Sequence, residues 1–127
     1  MRTEVERLIR QAERDLENAA KNITIEAYEV CAFLCCQSVE KYLKALWLHE
    51  RGEGAPWTHS LTELGDALEA PIELRPRLVY LNVDYTAARY PDAANGVPYE
   101  VYDRPTAEAK VAAAEEIFQW LRERTRA

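Results

Sequence analysis

Glycine is scarce, four residues in 127, and no stretch alternates apolar with polar side chains for long enough to make a convincing strand. A sheet-based fold is thereby excluded. Basic charge is also short. The 16 Lys and Arg stand against 22 Asp and Glu, a formal net charge of −6 with a pI near 5.0. That balance argues against a broad phosphate-binding surface and leaves room only for a local basic cleft. Long apolar runs are missing too: the longest uncharged stretch of the most apolar region, Val30 to Val39, falls far short of the roughly 20 residues a membrane span needs. Residues 1–18 alternate charge with apolar positions, unlike a signal peptide. A soluble, cytoplasmic protein with no membrane contact is the expectation. The three cysteines, Cys31, Cys35 and Cys36, have neither CxxC spacing nor an even count, so buried thiols in a reducing compartment are the simplest account. A metal site built on Cys31 and Cys35 with a distant histidine is a minor alternative, and the pattern calls for no cofactor.

What is present suits one domain spanning residues 1–127: 48% of the residues are hydrophobic and 30% charged. The stretch Ala27 to Leu48 reads as a central helix. Its apolar side chains (Tyr28, Cys31, Ala32, Cys35, Val39, Tyr42, Leu43, Leu46, Trp47) cover well over half the circumference, as a helix enclosed by several neighbours requires. Gln37, Glu40, Lys41 and Lys44 fall at i, i+3, i+4 and i+7 on one narrow polar face, bordered by Val30, Phe33 and Leu48. A polar stripe closed off by apolar residues suggests a partly enclosed site or a subunit-facing surface. The competing reading is an ordinary exposed face with a Glu40–Lys44 pair, worth a few tenths of a kcal/mol.

Around this helix the pattern places an amphipathic first helix, opened by a Thr3/Glu6 capping box and ending near Lys21–Asn22. The central helix should stop near Gly52. Ser60 and Glu63 form a second capping box for a short helix carrying Leu61, Leu64, Ala67 and Leu68. His59, at the mouth of that helix, either packs on the loop or handles an anion or a proton. A fourth helix is expected from Glu73–Arg75 to the break at Pro91, with Leu74, Leu78, Leu81, Tyr85 and Ala88 inward. Arg89 at its end either binds the last carbonyls or faces a groove as a fixed cation, with Asp92 as a candidate partner. Residues 92–105 read as a long loop. The last helix is expected to start after Pro105 with Thr106 as its cap, turning Ala109, Ala113, Ile117, Trp120 and Leu121 inward. The result is an all-α, up-and-down four-helix bundle with an additional short helix.

Several motifs carry a family likeness. Ala32-Phe33-Leu34-Cys35-Cys36-Gln37-Ser38-Val39-Glu40-Lys41-Tyr42-Leu43-Lys44-Ala45 resembles the F-x-x-Q-Q-A-x-E-K-x-L-K-A helix of HEPN domains. His59-Ser60-Leu61-Thr62-Glu63-Leu64 is similar to their H-x-L-x-x-L segment, and Ala88-Arg89-Tyr90-Pro91-Asp92 to A-R-Y-P-D. The resemblance implies a homodimer, a nucleotidyltransferase partner in a toxin–antitoxin pair, and a nucleotide or RNA ligand. It also raises ribonuclease chemistry through an R-x(4–6)-H motif. Counted from Arg89, the histidine positions hold Ala94, Asn95 and Gly96, so the motif histidine is absent. On this resemblance the expected ligand-binding set is Gln37, Glu40, Lys41, Lys44, Arg89, Tyr90 and Asp92. Arg89 with His59 would be catalytic residues only if the protein is a ribonuclease, and a purely structural interaction module is the third reading.

Overall fold

The computed structural model describes residues 1–126, and among them every regular element is helical. In chain order these are α1 (Thr3–Thr24), α2 (Tyr28–Arg51), α3 (Leu61–Ala67), α4 (Arg75–Asn82), α5 (Pro91–Ala94), α6 (Pro98–Val101) and α7 (Arg104–Arg126). Single 3₁₀ turns at Ile72–Leu74 and Val83–Tyr85 flank α4. The central helix is α2. Its Cys31, Ala32, Cys35, Cys36, Val39, Leu43, Ala45 and Leu46 are wholly buried, with α1 and α7 laid along it and α3 and α4 closing the remaining side. Tyr42 meets Phe118 of α7 edge to face, with ring centroids 5.0 Å apart.

Helix ends follow local chemistry, not always where the pattern placed it. Gly52 takes a left-handed φ of 74° and its N–H closes onto the Leu48 carbonyl at 2.9 Å, ending α2 as expected. Ser60 Oγ accepts from the Glu63 N–H and caps α3 as expected, but the reciprocal half of the capping box does not form, because the Ser60 N–H and the Glu63 carboxylate both bond Thr58 Oγ1 instead. The Thr3/Glu6 capping box does not form: Thr3 is already helical, Arg2 occupies the cap position without a side-chain bond, and α1 runs on to Thr24. Nor is Thr106 the cap of the last helix. Asp103 accepts from the Thr106 N–H at 2.9 Å and α7 begins at Arg104. The Thr106 bonds hold the Asp103 carboxyl below the usual carboxylate range. Along α7 the inward register is Ala107, Lys110, Ala113, Ala114, Ile117, Phe118 and Leu121, so Ala109 is exposed, contrary to expectation, and Trp120 half-buried.

The fourth helix is shorter than its periodicity predicts. It tightens at Val83–Tyr85 and unwinds before Arg89, and the expected loop of residues 92–105 contains the one-turn helices α5 and α6. Asp84 lies at the break. It is 0% exposed and faces Lys110 of α7, whose ammonium lies 2.8 Å from Oδ2 as an ion pair rather than an aligned hydrogen bond. The ammonium donates instead to the Tyr80 carbonyl at 2.7 Å and sits over the Tyr80 ring. Tyr102 donates its hydroxyl to Asp84 Oδ1, fastening the end of the α5–α6 segment to the same carboxylate. Burial, and then this bond, raise the Tyr102 phenol above its ordinary value.

Two outcomes follow. Lys110→Met leaves a buried, unpaired carboxylate and should cost about 3–5 kcal/mol in urea unfolding, with Asp84→Asn in the same chain recovering part of the loss. Cys31, Cys35 and Cys36 are fully buried free thiols, and burial pushes Cys36 up to about 12. A thiol reagent should therefore label none of the three in the folded protein and all three in urea. Because the folded Cys36 holds its proton above the value of the unfolded chain, stability is intact below the ordinary thiol range and falls as pH rises through it.

Candidate functional site

The polar face of α2 divides between two neighbours. Lys41 turns towards α1, where its ammonium meets Asp15 Oδ2 at 2.7 Å and Gln11 donates to Asp15 Oδ1. Asp15 is itself buried. Glu40 and Lys44 turn the other way, towards α3 and the Val83–Tyr85 turn, because residues at i and i+4 share a face while Lys41 lies a further 100° round. Glu40 Oε2 accepts from Lys44 Nζ at 3.0 Å and contacts His59 Nδ1 at 3.0 Å. Its other oxygen, Oε1, is enclosed with no hydrogen-bond partner.

His59 reaches Glu40 because the chain before α3 is closely tied. Thr58 Oγ1 accepts from the Ser60 N–H and donates to the Glu63 carboxylate, and the Leu61 N–H is taken by the Asn82 side chain at the end of α4. The imidazole then stacks on Tyr85, centroids 4.4 Å apart and planes 17° from parallel. Tyr85 is also where Arg89 lies, its guanidinium carbon 4.6 Å from the ring centroid. Phe33 and Tyr90 flank the same guanidinium at 4.7 Å and 5.2 Å. Arg89 donates through Nε and Nη2 to the Tyr85 carbonyl, which uses one side of its fork to cap its own turn.

Two cationic or ionisable side chains, Arg89 and His59, thus meet on one aromatic ring, joined to α2 through Phe33 and Glu40. Gln37, half-buried, stands between Phe33 and Glu40 on the same helix face. Tyr90 leaves 54% of its surface in solvent beside Arg89. Asp92 is exposed in the first turn of α5, and among the described residues it makes no ion pair, so Arg89 is not neutralised by it. Of the expected ligand-binding set, Gln37, Glu40, Lys44, Arg89 and Tyr90 lie on this side, together with His59 of the ribonuclease reading, while Lys41 is committed to α1 and Asp92 makes no ion pair among the described residues.

Two surface cavities lie away from these residues. One of about 760 Å³ runs between α1 and α7 and is lined chiefly by Glu13, Glu17, Glu115 and Arg122, the last closed onto Glu13. A smaller one of about 450 Å³ lies between α4 and α7. Among the described residues no three His, Cys, Asp or Glu side chains are placed to hold a metal ion, and no helix is long and apolar enough to cross a membrane. Tyr85 is the site residue that inspection of the sequence missed. It sits three residues after Asn82 and four before Arg89, in a register that reads simply as core-facing.

Three long helices packed face to face, with a polar cluster on the central one, define a helical-bundle protein. The sequence profile described as "HEPN domain" matches residues 5–124, and the chain belongs to that family. Among solved structures it is similar to TT1696 from Thermus thermophilus, with a TM-score of 0.88, 28% identity, and coverage of 97% of this chain and 99% of that one. It is also similar to ST0689, described as an archaeal HEPN homologue, with a TM-score of 0.83, 33% identity, and coverage of 98% and 99%. No curated protein matches the chain.

Lys41→Met removes the partner of a buried carboxylate at a site where the lysine is itself part-exposed. It should lower stability by about 1–2 kcal/mol in urea unfolding, and Asp15→Asn should remove most of the difference between the two lysine forms.

Proposed function

We propose that this HEPN protein binds a nucleotide or single-stranded nucleic acid at the cleft between α2 and the Tyr85 turn, with little or no catalytic activity. The observation that carries the reading is the convergence of Arg89 and His59 on Tyr85 in a chain whose overall charge is negative. A phosphate would take the free side of the Arg89 guanidinium and the His59 edge, Gln37 and Lys44 would add polar contacts, and Tyr90 would offer its exposed ring to a base. Lys41 and Asp92 would act at the periphery. Family membership supports a nucleic-acid-related or toxin-like role in general. HEPN domains often dimerise, and the exposed Tyr90, Val97, Tyr99 and Val101 beside the cleft suit a second copy or a nucleotidyltransferase partner of a toxin–antitoxin pair.

A ribonuclease is the second reading, and the position of His59 favours it. Cleavage through a 2′-OH needs a group to take and return protons, which an imidazole does near neutral pH, while an arginine can stabilise the phosphorane charge but cannot be the base. With the motif histidine absent, His59 is the group within reach of the same ring as Arg89.

The binding reading expects a nucleotide panel to raise the unfolding free energy by about 2.7 kcal/mol at 100 times the dissociation constant. Arg89→Ala should abolish that increment while leaving the unliganded protein folded. A labelled mixed-sequence RNA incubated with the protein and EDTA should stay intact. Cleavage lost in both Arg89→Ala and His59→Gln would install the ribonuclease reading in its place.

A further inference from the structure

We propose that Glu40 is a positioning residue, which holds His59 as its Nδ1–H tautomer and presents Nε2 as the atom that meets ligand. The inference deepens the binding reading above and rests on it for what Nε2 touches, though not for the tautomer itself. An ammonium and an imidazole nitrogen share one carboxylate oxygen: Lys44 Nζ and His59 Nδ1 both stand 3.0 Å from Glu40 Oε2. An ammonium has only protons to give, so that oxygen acts as an acceptor, and a carboxylate accepts from every partner when ionised. Nδ1 must then carry the hydrogen. The remaining nitrogen, Nε2, has no hydrogen-bond partner among the described residues, and the side chain is 45% exposed while that of Glu40 is only 8%.

The burial of Glu40 decides between the two roles open to it. A carboxylate with 8% of its side chain in solvent, one oxygen already shared by two donors and the other enclosed, has little surface left to offer a ligand. An anionic ligand would moreover be repelled by it. As a support, it has the geometry required: the carboxylate fixes one ring nitrogen, and the stack on Tyr85 fixes the ring plane. Second partners of this kind set tautomer and orientation wherever a histidine presents its other nitrogen to chemistry. Lys44 is the third member, compensating the buried charge that Glu40 would otherwise leave in the cleft.

The chain has two histidines, so nitrogen-15 spectra in a His49→Gln background report His59 alone. Under alkaline conditions, where an imidazole is neutral, a protonated Nδ1 and a bare Nε2 in the otherwise native protein are the expected result. In Glu40→Gln the tautomers should mix, and carbethoxylation of His59 by diethyl pyrocarbonate should slow severalfold with the fold retained by circular dichroism. A protonated Nε2 in the native protein would overturn the inference, as would spectra and reactivity unchanged by Glu40→Gln. If Glu40→Gln fails to fold, the spectrum of the native side chain decides alone. Failure of any nucleotide to bind would sink the functional reading while leaving the tautomer result standing.

Discussion

A carboxylate and an ammonium buried together, Asp84 and Lys110, anchor the side of the bundle that carries the candidate site. Neither has solvent to fall back on, so each must stay where the other is. Asp84 faces α7 from within the Val83–Tyr85 turn, and the same turn carries Tyr85, which lies against His59 and Arg89. Tyr102 bonds the same carboxylate and so ties the end of the α5–α6 segment, with its exposed aromatic and aliphatic side chains, to that turn. One buried carboxylate thus ties the Val83–Tyr85 turn both to α7 and to the end of the α5–α6 segment.

The polar stripe of α2 is two structures, not one. Its α1-facing half is a tether, in which Lys41 satisfies a buried aspartate and contributes to how the first two helices lie together. Its other half is a supported imidazole: Lys44 compensates Glu40, Glu40 holds His59, and Tyr85 sets the ring plane. Arg89 is held as firmly, by three aromatic rings and a carbonyl. Preorganised donors lose little freedom on binding, which is what the proposed anion site on an acidic protein would rely on.

Much of this architecture could be read from the sequence. The enclosed circumference of α2, its end at Gly52 and the Ser60 cap all follow from local rules that the packing does not override. The candidate residues were legible too, since a polar stripe at helical spacing and an arginine before Tyr-Pro stand out from their surroundings. Two things were hidden. Lys110 lies in an alanine-rich helix and reads as solvated, although it shares the inward register of Ala107, Ala114 and Ile117, and Asp84 likewise falls in step with Leu81 and Ala88. A charge in an inward register is interpretable only once its partner is known, and the partner here lies on a different helix, well separated along the chain. The second hidden feature is the division of the stripe. Lys41 and Lys44 belong to one stripe by spacing, and only the position of Asp15 on a neighbouring helix shows that they serve different neighbours.

The most direct test of the whole account is a titration of isotope-labelled protein with a mixed-sequence single-stranded RNA at low salt, followed by backbone and side-chain nitrogen spectra. The account predicts that the perturbed signals centre on Gln37, His59, Tyr85, Arg89 and Tyr90. Perturbations confined to Glu13, Glu17, Gln119 and Arg122, along the larger cavity between α1 and α7, would contradict it.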